Sequence, residues 1–430
     1  MSRVLRQAGA STGRTADWGH GGLAVDEGTR AGRTAAYIIA AYLFAKMFYV
    51  ASSGSAQPAD IMLCLLVFFI VPANSILDFF KTQLLLVALV VWVALVNLVW
   101  FMTTDEPSFL LSTLYYLFNL IIVITFVGVR GRNPAIFDNI VCKAIMIAVA
   151  VETAVILFQR FSGFSALRAV GTFKNPNQLA YWGVVMLSLF VMLRRNRLRR
   201  SDLLVMGAGI FCEFASASRA GLGALIALLA VWLYFALGTG RKRIIACLSV
   251  IAAGVILALS PMMDSSVASA SGQSAISTRI NEETEVSQFD ERQYNRIVDF
   301  YEYTIFGAGE GYVTRFTGDA KIHLEIHSSF GTMLFSYGIP GLSLFVLFLA
   351  SVIRRLPVSL GIYLLPSLLY GVTHQGLRFT LFWGLIGAAI SMGQERLVSR
   401  PVARPRPLHQ QRGPEFLRAV RDASALDRNI

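Results

Sequence analysis

The stretch Gln83-Leu-Leu-Leu-Val-Ala-Leu-Val-Val-Trp-Val-Ala-Leu-Val-Asn-Leu-Val-Trp-Phe-Met102 contains no charged residue. A helix of about 20 predominantly apolar residues is long enough to cross the hydrocarbon core of a bilayer. Working outward, comparable runs fall at 34–52, 60–78, 108–128, 139–159, 178–193, 202–218, 219–237, 243–260, 328–352, 358–374 and 377–392. The pattern predicts an all-α polytopic membrane protein of about 12 spans. Composition agrees: 55% of the 430 residues are hydrophobic and only 15% are charged, too few to solvate a large soluble surface. Residues 1–33 are rich in Gly, Ala and Arg without an apolar core, so they read as a disordered N-terminal segment and not as a cleavable signal.

The net charge of +12 could indicate a nucleic-acid partner. Its distribution indicates topology instead. If the N-terminus is cytoplasmic, alternation of spans puts Lys81, Arg130, Arg132, the cluster Leu193-Arg-Arg-Asn-Arg-Leu-Arg-Arg200, Arg241, Arg354, Arg355 and the tail 393–430 on the cytoplasmic side. Short cytoplasmic loops carry such an excess of Lys and Arg, and an even number of spans returns both termini to that side. The expected location is a bacterial inner membrane with the functional face periplasmic. The four cysteines, Cys64, Cys142, Cys212 and Cys247, lie inside apolar runs without Cys-x-x-Cys spacing, and read as reduced, buried thiols.

Two outer segments are then long. One covers 160–177. The other, 261–327, is large enough for a small folded unit; its Ser/Ala/Gly-rich start, 264–277, reads as flexible. Beyond Glu291, the residues Tyr294, Ile297, Val298, Tyr301 and Ile305 recur at helical spacing and predict one amphipathic helix at the membrane surface. The tail is proline- and arginine-rich and reads as a basic, lipid-facing segment.

Cations are few on this outer side, and each asks for a reason: Lys174, Arg219, Arg292, Arg296, His327 and Arg378. An arginine at a span junction is expensive unless paired or facing a wet cavity, and Glu213 is one available partner for Arg219. Arg292 and Arg296 could equally form a solvated face with Asp299, and His327 could be a satisfied structural histidine. Gly307-Ala-Gly-Glu-Gly311 lacks the Gly-Lys-Ser/Thr of a nucleotide loop and reads as a tight turn. His323 and His327 share the i, i+4 spacing of some metal sites, but no third ligand is evident, so no metal and no cofactor are expected. Lys46, Lys143 and Glu152 lie inside spans and could mark a polar path. Taken together, several guanidinium groups and an imidazole suit a phosphate-bearing leaving group and an attacking hydroxyl.

Four segments occur in an order that resembles the O-antigen ligase and polysaccharide polymerase family. They are Gly171-Thr-Phe-Lys-Asn-Pro-Asn-Gln-Leu-Ala180, Ser216-Ala-Ser-Arg-Ala-Gly221, Phe306-Gly-Ala-Gly-Glu-Gly-Tyr312, and His327-Ser-Ser-Phe330 followed by Tyr337-Gly-Ile-Pro-Gly341. The resemblance covers roughly residues 34–392. It implies a twelve-span, C-type-like glycosyltransferase with its large outer loop between spans nine and ten. Such an enzyme moves a glycan from undecaprenyl diphosphate to an acceptor sugar by a metal-independent, inverting displacement. The acceptor is lipid A core for a ligase and a carrier-linked glycan for a polymerase. Chain-length regulators or export proteins are the implied protein partners. Carried over by motif, Arg219 is the junction arginine, His327 the catalytic histidine, and Arg292 the loop arginine, with Arg296 the alternative. Lys174, Asn175, Asn177 and Arg378 would shape the substrate site. Two departures stand out: no Trp follows the loop arginine, and Ser328 stands where Asn is common. The competing classes are a transporter or flippase of lipid-linked sugar, and a scaffold of an export complex.

Overall fold

The computed structural model describes residues 21–51, 56–162, 168–237, 240–241, 244–250, 292–317 and 325–398. Among these residues the secondary structure is helical throughout, with no strand. Helices α1 (Gly21–Ala45), α2 (Pro58–Ile70), α3 (Ala73–Thr82), α4 (Leu84–Thr104), α5 (Ser108–Arg132), α6 (Pro134–Phe161), α7 (Pro176–Leu193), α8 (Arg200–Ser216) and α9 (Arg219–Ala236) form the first part. Three short helices follow, α10 (Asn295–Asp299), α11 (Tyr303–Phe306) and α12 (Thr314–Thr317). Then come α13 (Ser329–Arg355), α14 (Val358–Gly361), a 3₁₀ turn at Ile362–Leu364, α15 (Leu365–Thr373) and α16 (Thr380–Val398).

Six of the described helices, α4, α5, α6, α7, α9 and α13, are long and apolar enough to cross a membrane, and the count is seven if α2 and α3 form one bent span. The chain is thus an α-helical, multi-pass membrane protein. Helix α7 is its centre: every residue from Leu179 to Leu193 is buried. In contrast, Phe68, Phe69, Val91, Met102, Phe158 and Leu204 are exposed on outlying helices, as the lipid-facing side of a membrane bundle requires.

Several expected boundaries are corrected. The run 60–78 is not one straight helix: α2 and α3 meet at an angle of 106°. Pro72 is the cause, because proline excludes its predecessor from the helical region, and Val71 is extended (φ −111°, ψ 127°). The run 358–374 is divided into α14 and α15 by the 3₁₀ turn. Helix α1 begins at Gly21, inside the segment expected to be disordered, and α16 continues to Val398, past the expected end of the membrane domain. Most of the run 243–260 and of the segment 261–327 lies outside the described residues, as does the tail beyond Val398.

The single amphipathic helix is also corrected. Its residues form α10 and α11, separated at Phe300 (φ −124°, ψ 46°). The break lets Tyr294, Ile297, Phe300 and Tyr303 turn inward with Phe316 onto Ala308, Ile326 and Phe335. Val298, Tyr301, Ile305 and Phe306 remain exposed. A packed aromatic cluster replaces the continuous apolar stripe that a straight helix would present.

The glycine-rich segment 307–311 is far more than a surface turn. Helix α13 is broken at Gly338 (φ 68°, ψ −174°), two residues before Pro340. A break and a proline leave the preceding carbonyls without helical donors, which a membrane interior does not tolerate. The segment supplies them: Ala308 N–H donates to the Phe335 carbonyl (2.9 Å) and Gly309 N–H to the Ser336 carbonyl (2.8 Å). The Trp92 indole takes the Tyr337 carbonyl at 2.8 Å. Gly307 (φ 106°) must be glycine, since a Cβ there would lie 2.5 Å from the Ser336 carbonyl oxygen. The two glycine motifs are therefore two halves of one lock.

Candidate functional site

The basic end of the bundle is tied by carboxylates. Arg130, fully buried, forms a two-pronged pair with Asp138 (2.8 and 2.9 Å) and reaches Glu395 (3.0 Å). Arg195 meets the same Glu395 at 2.6 Å, and Arg194 meets Asp202 at 3.1 Å. This network joins α5, α6, α16 and the α7–α8 turn, and gathers Arg130, Arg194 and Arg195 at one end.

The opposite end holds the candidate site, and it is assembled from helix starts. Asn175 caps α7, its side chain accepting from Asn177 N–H at 2.7 Å, and Pro176 occupies the first helical turn, where its missing N–H costs nothing. Ser218 caps α9 by accepting from Gly221 N–H (3.3 Å), after Ala217 ends α8 in a left-handed conformation (φ 49°). Gly221 and Gly183 are small because the buried Glu213 carboxyl packs against them. Among the described residues no hydrogen bond or ion pair joins Glu213 to Arg219, so Glu213 is not its partner. Arg219 is the first residue of α9. Ser328 caps α13 by accepting from Gly331 N–H (3.0 Å), directly after His327.

The last turn of α15 connects these three starts. Tyr370, buried and stacked on Tyr181, donates to the Asn177 carbonyl at 2.6 Å and is hydrogen-bonded with Ser218. Ser329 donates to the His374 carbonyl (3.2 Å) and accepts from Gly376 N–H (2.9 Å). Arg168 shares Asn177 with Tyr370, and Arg292 reaches Thr373 on the same turn of α15. Arg292 donates to the Thr373 carbonyl at 2.5 Å, and its own carbonyl accepts from His327 N–H at 3.1 Å. Tyr294 braces the same place, donating to the His327 and Val372 carbonyls at 3.2 and 3.1 Å. Arg292 and His327, distant in sequence, are thus neighbours.

His327 is oriented by its own chain. Its Nδ1 lies 2.7 Å from the Glu325 carbonyl oxygen. A carbonyl only accepts, so this contact places the proton on Nδ1 and leaves the Nε2 lone pair free to take another.

The remaining residues named from the sequence fall elsewhere. Arg296 is 5% exposed, bonded to Gln293 at 2.9 Å and set over the Phe316 ring. Burial pushes its guanidinium below the ordinary arginine range, against the pull of Glu325. It lines a small cavity of about 30 Å³, with Glu310, Glu325 and Thr332, that has room for water and not for a sugar. Arg378 is held between Glu310 (2.8 Å) and Glu325 (2.8 Å). Burial opposes its charge, but the two carboxylates outweigh burial and raise its pKa above the ordinary arginine value. Glu310 also accepts from Tyr116 (3.0 Å), Tyr337 (2.8 Å) and Gln375 (3.1 Å). Arg378 is thereby a brace for the glycine lock. Lys174 donates to the Val50 carbonyl at 2.9 Å and is exposed. His323 lies outside the described residues.

Two of the intramembrane charges have partners. Lys46 is ion-paired with Asp60, which accepts from Tyr42 and Thr380 as well. Glu152 accepts from the Thr172 N–H (3.0 Å) and hydroxyl (2.6 Å), pinning the loop that carries Lys174. Lys143 is exposed on α6. Cys142 and Cys212 are buried, while Cys64 and Cys247 are half-buried; all four are free thiols.

Sequence reasoning missed two residues. Arg168 donates to the Ser216 carbonyl (3.0 Å) and to Asn177 Oδ1 (2.9 Å), joining the starts of α7 and α9. Its signal was available, as a further cation on the same 160–177 segment as Lys174. Tyr370 gave none, being one aromatic among many in an apolar run. No model of a known protein family matches the chain, and no curated protein matches it.

Proposed function

We propose that this chain is a membrane glycosyltransferase that moves a glycan from a polyprenyl diphosphate to an acceptor sugar, in the manner of the O-antigen ligases and polysaccharide polymerases it resembles. The observation that carries the reading is the convergence of Arg168, Arg292 and His327 with the starts of α7, α9 and α13 around Tyr370. Helix N-termini attract anions, and arginine forks suit phosphate oxygens. Arg219 strengthens the reading, because a cation at a helix N-terminus opposes the helix dipole by ~0.3–1 kcal/mol. A bound diphosphate relieves that conflict.

In this scheme Arg219 and Arg292 hold the diphosphate, and Arg168 keeps α7 and α9 in register beside them. His327 Nε2 takes the proton from the acceptor hydroxyl as its oxygen attacks the anomeric carbon. The bond from that carbon to the diphosphate oxygen breaks, its electron pair stays with the diphosphate, and the anomeric configuration inverts. The arginines stabilise the charge that develops there. Arg292 is the better loop arginine of the two, because Arg296 faces the buried aromatic cluster. The outer face is taken as periplasmic in a bacterial inner membrane, which fits the gathering of Arg130, Arg194 and Arg195 at the other end.

A transporter needs a charged path near the midplane. Lys46 and Glu152 are consumed by Asp60 and Thr172, which favours the enzyme. The test is to replace His327 and Arg219 by Ala in cells and follow lipid-linked glycan. The enzyme reading expects inserted protein and accumulated donor. Full transfer by both variants would refute the assignment. Loss of long glycan chains on deletion would indicate a polymerase, and loss of attachment to lipid A core alone a ligase.

A further inference from the structure

Helices α1 and α6 pack along their length but leave an outward-facing groove of about 410 Å³. Helix α1 buries Ala35, Ala36, Ile39, Tyr42 and Leu43 at 3–4-residue spacing, which leaves Arg33, Tyr37 and Ala40 on the groove side. Helix α6 offers a matching stripe, Ile136, Asn139, Lys143 and Ile147, one step per turn. Arg33, Asn139 and Lys143 are exposed, and Ile147 is 57% exposed.

Lys143 stands about 14 Å along the helix axis from Pro134, at about 1.5 Å per residue. A lysine inside a span is costly without a partner. Lys46 and Glu152 have partners in Asp60 and Thr172, whereas among the described residues no carboxylate or hydrogen-bond acceptor meets Arg33 or Lys143. Two cations, an amide and a phenol therefore open on a groove whose remaining walls are apolar and face the bilayer.

We infer that this groove binds an anionic phospholipid, with its phosphate between Arg33 and Lys143 and its acyl chains along Ile140 and Ile147. A soluble phosphate would meet the same cations but gain nothing from the apolar walls. The lipid satisfies both, and it removes the cost of an unpaired lysine within the span. The site lies near the start of α6, at the end of the bundle that carries Arg130 and Arg132, and so is separate from the His327 region.

The test uses the full chain purified in detergent, with melting temperature followed against added phosphatidylglycerol, phosphatidylethanolamine or glycerol 3-phosphate. Phosphatidylglycerol should bind on the order of tenfold more tightly than phosphatidylethanolamine, because two cations near the surface attract its net negative charge. The double variant Arg33→Gln, Lys143→Gln should lose that preference, while Lys143→Arg keeps it. Glycerol 3-phosphate should give no shift. A preference retained in the double variant overturns the proposal, and an equal shift with glycerol 3-phosphate replaces the lipid with a soluble ligand. Should the double variant not fold, native mass spectrometry of the wild type decides: anionic lipid retained in excess supports the site, and its absence refutes it.

Discussion

Arginines at the two ends of this bundle are held in different ways. At one end Arg130, Arg194 and Arg195 are matched by Asp138, Asp202 and Glu395. At the other, Arg292 is held by the Thr373 carbonyl, and Arg168 by the Ser216 carbonyl and the Asn177 amide oxygen. Neutral acceptors orient a guanidinium without neutralising it. The first set closes the fold, and under the proposed function Arg292 keeps its charge for an incoming anion. Arg378 marks the contrast within the outer end, because its two carboxylates turn it into a structural brace.

The comparison can be broken most severely at His327. Replacement by Ala should lower transfer by a factor of ~10²–10⁴ with the protein still inserted, measured as turnover of lipid-linked donor in vesicles. Arg130→Ala should act on folding instead, since removing one partner of a buried ion pair costs ~3–5 kcal/mol; the amount of protein in the membrane should fall, with specific activity unchanged. Gly307→Ala should cost about 1–3 kcal/mol, from a left-handed backbone and a clash with Ser336, read as a lower melting temperature. Arg168→Lys keeps the charge but loses the fork, and should raise the donor KM about tenfold, at ~1.4 kcal/mol per decade, while kcat holds. Asp78→Asn, which removes an exposed 3.9 Å pair with Lys81, should change stability by less than about 0.5 kcal/mol.

Much of the fold was legible because hydropathy and positive charge report directly on the bilayer. The runs at 83–102, 108–128, 139–159 and 178–193 correspond to α4, α5, α6 and α7. The breaks were less legible. Pro72 turned one expected span into a bent pair, and the aromatic cluster under Phe316 divided the amphipathic helix in two, since tertiary packing overrides a local period. The glycine segment illustrates the limit best. Its spacing suggests a turn, and only its partner carbonyls on α13 reveal a lock. For the site, charge scarcity on the outer side pointed to Arg219, Arg292 and His327. It could not distinguish Arg292, beside His327, from Arg296, beneath an aromatic ring, nor show that Arg378 was already paired.

The central claim, that neutrally held arginines on the outer face bind a diphosphate, is tested most directly by affinity. Binding of undecaprenyl diphosphate to the purified protein would be measured for the wild type, Arg292→Gln and His327→Ala. The account predicts a loss of at least tenfold for Arg292→Gln, a charge-assisted contact of ~1.5–3 kcal/mol, and near wild-type binding without transfer for His327→Ala. Unchanged affinity in Arg292→Gln would contradict it.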